Sequence, residues 1–491
     1  MTGRLSSKAG STTRAALSLT AGRTVGFAIT FVIPLVLSRY LTQEAFGVYK
    51  YIFLVYGTLG FMQLGMSESL YFFVPRSKAA AGHAVANAVV TLAMAGVASG
   101  AVLVVFAHRL GQASGVEGLE PYLPLLGVFL ALMLIATPLE IVMVSRKQHH
   151  LASVTYAVSD GLRAALLIAP TVMTRSLGAL MACAIVFAGL RAAALLTYVT
   201  AAFTRTLRID RRLWAEQWRY AIPFTIAVII EVVQINLHQY VVAARFDATM
   251  FAIYTVGCMQ IPLVDLLATS TANVMMVRMA ETPPADPDRI RIWHEAVERL
   301  ALVFLPLSVA LAITAHSVIA LLYPAAYLPA VPIFTIATAL IALAAFPVDG
   351  LLRVYADTRF LIVMNLIRFG IIAGGIGWAL AALDMRGAIL ITVVAQVVAK
   401  VVALGRIRVL LQVPLARLLP WRDLGLTVIA ASAAVPPALW ARHSFTLHPF
   451  AEGAVIAATY GLVYLAVITT ARMRGRWTLP RFGWQDNTPG R

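Results

Sequence analysis

Charged side chains inside otherwise apolar segments are the residues of this sequence with the most chemistry to explain. One charge at the centre of a bilayer costs about 2.5–3.5 kcal/mol, so such residues are expected to face protein or a water-filled cavity. Basic residues outnumber acidic ones, which indicates a polar cavity with surplus positive charge. The basic residues are Arg23, Lys50, Arg163, Arg191 and Arg368, and the acidic residues are Asp160, Glu231 and Asp265.

Arg23 and Arg368 are the strongest candidates for lining that cavity. Arg23 lies deep in the first apolar run, beside the glycine pair Gly22 and Gly26. Arg368 lies near the middle of a later run, one helical turn from Asn365. Neither position lets the guanidinium reach the end of its helix easily.

The other basic residues have a structural interpretation that stays open beside the functional one. Lys50 and Arg191 can extend towards the end of a helix and leave the hydrocarbon. Arg163 follows Asp160 by three positions, and the two side chains can neutralise each other on one helix face.

The seventh apolar run carries a polar stripe. Glu231, Gln234 and His238 recur at helical spacing, with Asn236 and Gln239 beside them. Lipid does not tolerate such a face, so it forms either a seam between helices or the wall of a hydrophilic cleft. Glu231 and Asp265 are candidates for coupling to a proton or sodium gradient. The eighth run repeats the stripe more weakly through Asp265, Thr269 and Asn273.

Motifs for enzymatic chemistry are absent from the sequence. It contains no phosphate-binding GxxxxGK[ST] loop, no HExxH, no GxSxG and no metal-ligand spacing. Cys183 and Cys258 lie in apolar runs and are interpreted as packing residues. We therefore expect no catalytic residue, no metal and no cofactor.

The composition requires a membrane. The 491 residues are 60% hydrophobic and 12% charged, with a mean hydropathy of +0.83, whereas soluble domains carry about 25% charged residues. The net charge of +17 falls in short loops, which argues against nucleic-acid binding. Fourteen apolar runs are long enough to cross a bilayer of about 30 Å. They cover 16–38, 45–66, 83–107, 121–143, 151–173, 177–202, 220–243, 250–277, 299–316, 329–348, 360–382, 386–410, 424–441 and 449–470.

The loops predict the orientation. Lysine and arginine concentrate in alternate loops when the N-terminus is placed in the cytoplasm, and the positive-inside rule then puts both termini there. Residues 207–219 alternate arginines with Leu213, Trp214 and Trp218, which is typical of an amphipathic helix on the inner surface. Residues 289–299 are predicted to form a second short surface helix.

The two halves of the chain resemble each other. Residues 137–195, moved forward by 209 positions, align Pro138 with Pro347, Glu140 with Asp349 and Arg191 with Lys400. A unit of six helices gives two copies with the same orientation, which predicts two parallel six-helix bundles around a central cleft. The predicted lobes are 1–205 and 206–412, followed by two additional helices and a basic cytoplasmic tail over 413–491.

Three stretches resemble a known family. They are residues 37–49 in the first loop, residues 319–327 after the ninth run, and residues 356–359 with Asn365 and residues 386–388. The sequence resembles the polysaccharide flippases, the O-antigen and exopolysaccharide transporters of the multidrug/oligosaccharidyl-lipid/polysaccharide (MOP) superfamily. The resemblance covers most of residues 15–410.

The resemblance implies a transporter in the plasma (inner) membrane of a bacterium. It would move a polyprenyl-diphosphate-linked saccharide from the inner to the outer leaflet by alternating access, for lipopolysaccharide or exopolysaccharide synthesis. Arginine suits the recognition of phosphate groups. A monomer is expected to suffice among membrane lipids, with a polymerase or ligase of the same pathway as candidate partner. The implied diphosphate ligands are Arg23, Lys50, Arg163 and Arg368, and the other cavity candidates are Glu231, Gln234, His238, Asp265, Asn273 and Asn365.

Three alternatives remain open at this point. A flippase for the peptidoglycan precursor shares the span number and the cationic cavity. A cation-coupled multidrug or metabolite antiporter of the same superfamily usually has twelve spans and an acidic site. A membrane-embedded polymerase or ligase would need a large outer loop, and the longest outer loop here covers only about 107–120.

Overall fold

The computed structural model describes residues 26, 29–204, 206–283, 286–444 and 449–473. Every described element is a helix. Among the described residues, eleven helices are long and apolar enough to cross a membrane, or twelve if the bent pair Ala248–Gly257 and Pro262–Glu281 is counted as one span. The prediction of an all-helical, multi-pass membrane protein is therefore confirmed.

The chain forms two compact units, Met1–Thr255 and Val256–Arg491. The domain boundaries predicted from the sequence stay a prediction. The helices of the first unit are α1 (Ile29–Tyr40), α2 (Gln43–Leu59), α3 (Met66–Arg76), α4 (Ala81–Val105), α5 (Ala107–Ser114), α6 (Leu123–Ala136), α7 (Pro138–Ser145), α8 (His149–Thr174), α9 (Leu177–Phe203), α10 (Arg211–Arg245) and α11 (Ala248–Gly257), whose last turn reaches the boundary.

The second unit continues from there to the end of the described chain. Its helices are α12 (Pro262–Glu281), α13 (Asp288–Ile313), α14 (Ala315–Leu322), α15 (Val331–Leu343), α16 (Val348–Val354), α17 (Thr358–Leu411), α18 (Leu415–Leu418), α19 (Trp421–Ala433), α20 (Val435–Ser444) and α21 (Pro449–Met473). The last two predicted spans correspond to α19–α20 and α21. They pack within this unit, where the Tyr464 hydroxyl donates to the Leu302 carbonyl of α13 at 2.8 Å.

Helix α17 consists of two helical segments and not one. A continuous helix of this length would extend about 80 Å at 1.5 Å per residue, far beyond a bilayer. It is broken at Asp384, where φ is 50° and ψ is −144°. A Cβ atom on Gly387 would lie 1.9 Å from the Ala379 carbonyl oxygen, so the chain reverses tightly there. The sequence prediction of separate spans over 360–382 and 386–410 agrees with this reversal.

The count of fourteen spans stays a prediction. Helix α17 counts once among the eleven helices. Helix α1 is described over only Ile29–Tyr40, which is too short for a span by itself. Most of the first predicted run lies outside the described residues.

The two predicted surface helices are not separate elements. Residues 211–219 are the first turns of α10, with Asp210 as the N-cap, and residues 289–299 belong to α13. Trp214 and Trp218 pack against the apolar core of the first unit, and the Trp214 indole donates to Thr91 at 2.8 Å. The prediction of a helix lying on the membrane surface is therefore wrong for 207–219, because its aromatic side chains find protein partners.

The segments that follow α9 and α17 dock in the same way in the two units. His83, at the start of α4, donates to the Arg208 carbonyl at 2.8 Å. His294, near the start of α13, donates to the Arg417 carbonyl at 3.0 Å. Arg208 and Arg417 are related by the offset of 209 positions that aligns the two halves. The internal repeat therefore extends to the docking of these segments.

Candidate functional site

A buried charge cluster lies where α7, α8 and α9 meet in the first unit. Arg191 Nη2 donates to Glu140 Oε2 at 2.8 Å, and Arg191 Nη1 donates to Ser159 Oγ. The side chain of Glu140 is only 3% exposed, so the ion pair with Arg191 is needed to offset the cost of burying its negative charge. Arg191 is thus engaged in an ion pair inside the unit, and the alternative of extending to a helix end does not apply. The cluster is electrically balanced among its described side chains.

A second buried cluster lies where α16 meets the two segments of α17. Lys400 Nζ donates to the Phe346 carbonyl at 2.5 Å. The ammonium of Lys400 also interacts electrostatically with the carboxylate of Asp349 and the guanidinium of Arg368. The described side chains of this cluster therefore comprise two cations and one carboxylate.

Arg368 is the group that unbalances the second cluster. Its Nη1 donates to Asn365 Oδ1 at 3.1 Å, and the residue is 8% exposed. Its Nε is buried and has no hydrogen-bond partner within the described part of the chain. Buried polar groups in native structures are nearly always paired, and an unpaired donor on a charged group is costly. The Nε atoms of Arg163 and Arg191 also lack a partner among the described residues, so it is the surplus positive charge of this cluster that favours an anion beside Arg368.

The two clusters occupy equivalent positions in the repeat. Moving the first cluster forward by 209 positions places Glu140 on Asp349 and Arg191 on Lys400. The third position is Ser159 in the first unit, and it becomes Arg368 in the second. One replacement thus converts a neutral cluster into one with a surplus positive charge.

Sequence reasoning did not name Glu140, Asp349 and Lys400 as site residues. The alignment of the halves matched Glu140 with Asp349 and Arg191 with Lys400, but these four positions were not grouped with Arg368. The signal was present, because charged residues that recur at one offset in two apolar repeats indicate a shared buried site. Lys400 lies inside the apolar run 386–410, but it was not among the charged residues singled out from the sequence.

Asp160 and Arg163 form a separate ion pair in the first unit. Arg163 Nη2 lies 2.9 Å from Asp160 Oδ1, and the same nitrogen donates to Thr30 of α1. The Asp160 carboxylate lies against Gly26, where a Cβ atom would come within 2.1 Å of Oδ2. Arg163 is therefore partly neutralised. Arg23, the remaining candidate of the first apolar run, lies outside the described residues.

Lys50 lies on α2, away from both clusters in sequence. It is half-buried, and its Nζ lies 5.4 Å from the centroid of the Phe46 ring. This cation–π geometry places the ammonium against an aromatic face one helical turn earlier.

The polar stripe of α10 divides into a buried and an exposed part. His238 Nδ1 lies 2.6 Å from the Tyr254 hydroxyl of α11, and both residues are buried. Gln234 is also buried, and its Oε1 has no hydrogen-bond partner among the described residues. Glu231 is exposed. Gln234 and His238 therefore face protein inside the first unit, whereas Glu231 lies on the surface of that unit.

The weaker stripe of α12 lies on the surface of the second unit. Asp265, Thr269 and Asn273 are all exposed and follow each other at intervals of one turn. Asn365, in contrast, belongs to the buried cluster through its bond to Arg368. The candidate residues therefore lie at several separate places, and among the described residues Asn365 and Arg368 come together with Asp349 and Lys400.

Known proteins resemble this chain in sequence and in fold. A family model described as polysaccharide biosynthesis protein matches residues 36–332. No curated protein matches the sequence. Several solved structures share the fold at low sequence identity.

The lipid II flippase MurJ in an inward-closed conformation superposes with a TM-score of 0.72 at 11% identity, over 94% of this chain and 99% of MurJ. A MOP superfamily transporter from Pyrococcus furiosus gives 0.56 at 13% identity, over 80% of this chain and 95% of that one. The Vibrio cholerae MATE transporter VcmN in its bent form gives 0.53 at 12% identity, over 82% and 98%. At these identities the likeness shows the fold alone.

Proposed function

The chain belongs to the polysaccharide biosynthesis protein family, within the MOP superfamily of membrane transporters, and we propose on this premise that it is a flippase for lipid-linked oligosaccharides. Its substrate is a saccharide carried on a polyprenyl diphosphate. The protein moves it from the inner to the outer leaflet of the bacterial inner membrane by alternating access, and the product supplies cell-surface polysaccharide synthesis.

The observation that supports this proposal is the surplus positive charge at Arg368. A diphosphate offers several anionic oxygens, and a guanidinium binds such groups with two or more parallel hydrogen bonds. Arg368 has an unpaired Nε to donate, and Lys400 adds a second cation beside it. When no substrate is bound, the carboxylate of Asp349 offsets one of the two positive charges of Arg368 and Lys400.

The basic residues of the first unit have a secondary part in the proposal. Arg163 is already paired with Asp160, so its contribution to anion binding is smaller than that of Arg368. Lys50 and Arg23 add positive charge along α2 and the first apolar run. The exposed carboxylates of Glu231 and Asp265 are the proposed groups for coupling transport to a proton or sodium gradient.

A flippase for the peptidoglycan precursor is the second candidate function. The fold matches that of MurJ, at a TM-score of 0.72, better than that of the MATE transporter, at 0.53, and we take this to favour a flippase over an antiporter. Both flippase functions use a diphosphate-linked carrier, so the charge cluster does not separate them. The family match to polysaccharide biosynthesis proteins favours the first.

The decisive experiment measures lipid-linked saccharides in cells that lack this protein, with the two leaflets analysed separately. Accumulation of a polysaccharide precursor on the cytoplasmic leaflet supports the proposal, and accumulation of the peptidoglycan precursor supports the second candidate. Complementation with Arg368→Gln should fail, whereas Arg408→Gln, an exposed arginine of the same helix α17, should restore export. Unchanged lipid-linked saccharides together with retention of cationic dyes would indicate an antiporter.

A further inference from the structure

A small cavity lies between α12 and α13 in the second unit, apart from the Arg368 cluster. Its volume is about 160 Å³. This space is close to the roughly 150 Å³ of an apolar cavity that holds one benzene molecule, and it is well below the roughly 300–1,000 Å³ of sites for drug-sized ligands. It can therefore hold one small group and not a saccharide. The lining residues are Ser270, Thr271, Val274, Met275, Arg278, Ile292, Glu295, Ala296 and Arg299.

The charged residues of the cavity converge on one carboxylate. Glu295 Oε2 lies 2.6 Å from Arg278 Nη1 and 3.9 Å from Arg299 Nη2. Arg291, just outside the lining, brings its Nε to 4.0 Å from Glu295 Oε1. Glu298 interacts electrostatically with Arg299 and Glu295 but lies outside the lining. Among the lining residues, the two positive charges of Arg278 and Arg299 face the one negative charge of Glu295, so the lining retains one positive charge in excess.

The cavity combines this charge with both hydroxyl and apolar walls. Ser270 and Thr271 provide hydroxyl donors on α12. Val274, Met275 and Ile292 provide an apolar wall on the same space. A ligand that fits has an anionic head with several acceptor oxygens and an apolar part attached to it. A phosphate diester with hydrocarbon chains has this chemistry.

The position of the cavity is that of a lipid head group. Arg278 lies in the last turn of α12, and α13 begins seven residues after α12 ends, at Asp288. Arg289 closes the turn between the two helices with two bonds to the Thr282 carbonyl, at 3.0 and 2.7 Å. Helix ends of a spanning pair lie at the level of the head groups. Val274 and Val277 are 42% and 59% exposed beside it, where acyl chains would pack.

We infer that this cavity is a binding site for the phosphate of an anionic phospholipid, held by Arg278 and Arg299 with Glu295 as their positioning partner. Anionic lipids attract arginines at the membrane surface, and a cavity with two guanidinium groups adds a fixed geometry to that attraction. The inference does not depend on the proposed transport function, because it uses none of the residues of the Arg368 cluster.

The test is a titration of the purified full-length protein in detergent with short-chain phosphatidylglycerol, followed by intrinsic fluorescence. Phosphatidylcholine of the same chain length and inorganic phosphate are titrated in parallel. We expect phosphatidylglycerol to bind more tightly than either. The double variant Arg278→Gln/Arg299→Gln should weaken it by about tenfold or more, since two charge-assisted bonds are lost. Arg408→Gln removes an exposed arginine elsewhere on the unit and should leave binding within about twofold, as isolated surface charges contribute little.

A second variant separates loss of the site from loss of the fold. Ser270→Leu introduces a larger side chain at an exposed position of the lining and changes no charge, so it should block the lipid while the melting temperature without lipid stays near that of the wild type. Equal binding of phosphatidylglycerol by wild type, the double arginine variant and Ser270→Leu would overturn the inference. Arginine-dependent binding of inorganic phosphate with no preference for phosphatidylglycerol would overturn the assignment to a lipid and leave a site for a soluble phosphate.

Discussion

Ser159 and Arg368 occupy equivalent positions in the two repeats of this chain, but Ser159 is neutral and Arg368 adds a positive charge. Ser159 accepts a hydrogen bond from Arg191, whose charge is balanced by Glu140. Arg368 instead places a second cation beside Lys400, which already interacts with Asp349. The first cluster is therefore suited to hold three helices together, and the second is suited to attract an anion.

Arg368→Ser gives the second cluster the charge balance of the first. We expect export of the lipid-linked saccharide to fall by about tenfold or more, because a charge-assisted bond to the diphosphate is lost. The melting temperature in detergent should stay within a few degrees of the wild type, since a buried surplus charge is removed. Arg408→Ser provides the control on the same helix. Normal export by Arg368→Ser would remove this residue from the substrate site.

Arg191→Leu should destabilise the first unit strongly. It leaves the carboxylate of Glu140, which is 3% exposed, without its ionic partner, and breaking a buried pair in this way costs about 3–5 kcal/mol. Adding Glu140→Leu should recover much of that loss. The exposed pair Arg291 and Asp288 is the control, and Arg291→Leu should cost less than about 1 kcal/mol. Thermal unfolding in detergent measures all of these, and equal losses at the two pairs would contradict the buried character of the first.

Gly387→Ala should disrupt the reversal inside α17. The added Cβ would lie 1.9 Å from the Ala379 carbonyl oxygen, and backbone on both sides must move to make room. We expect a loss of at least about 1–3 kcal/mol or a failure to accumulate in the membrane. Gly377→Ala is the matched control, because no described atom lies within 4 Å of its Cβ position. That change should be neutral or stabilising by up to about 1 kcal/mol.

Asp265→Asn tests the coupling of transport to an ion gradient. Asp265 is an exposed carboxylate in the first turn of α12. If it carries the coupling ion, the variant should bind substrate normally but lose the acceleration of transport by a proton or sodium gradient in proteoliposomes. Glu281→Gln, at the other end of the same helix, should keep the acceleration. A gradient response that survives Asp265→Asn assigns coupling to another residue, and Glu231→Gln is then the variant to measure.

His83→Leu and His294→Leu test whether the repeated docking of the segments after α9 and α17 is equivalent in energy. Each variant loses one hydrogen bond to a carbonyl, at Arg208 and Arg417, and a net loss of about 0.5–1.5 kcal/mol is expected for each. Similar shifts of the melting temperature would support the equivalence. A large effect at only one histidine would show that the two docking contacts differ in importance.

The sequence predicted the membrane-spanning helices well because a bilayer requires long apolar runs. The sequence also indicated the break in α17, because the polar residues near Asp384 separate two apolar runs. The surface helix predicted over 207–219 failed, because periodicity cannot show that Trp214 finds Thr91 as a partner. In the stripe of α10, helical spacing placed Glu231 with Gln234 and His238, but only tertiary packing decides that two of them are buried and one is exposed.

The charge clusters were the least predictable part of the site. Glu140, Ser159 and Arg191 lie on three helices, and their convergence depends on how those helices pack. The equivalence of Ser159 and Arg368 is hidden in an alignment, since two residues that differ in size and charge do not look related. Their shared surroundings reveal the relation.

The difference at this one position has an evolutionary consequence. A gene duplication that produced the two halves would have started with two identical clusters, and therefore with the same residue at both positions. The present chain retains one copy with a serine and one with an arginine, so the ancestral copies have since specialised. A chain built from two first halves would carry no cationic cluster of this kind, and a chain built from two second halves would carry two.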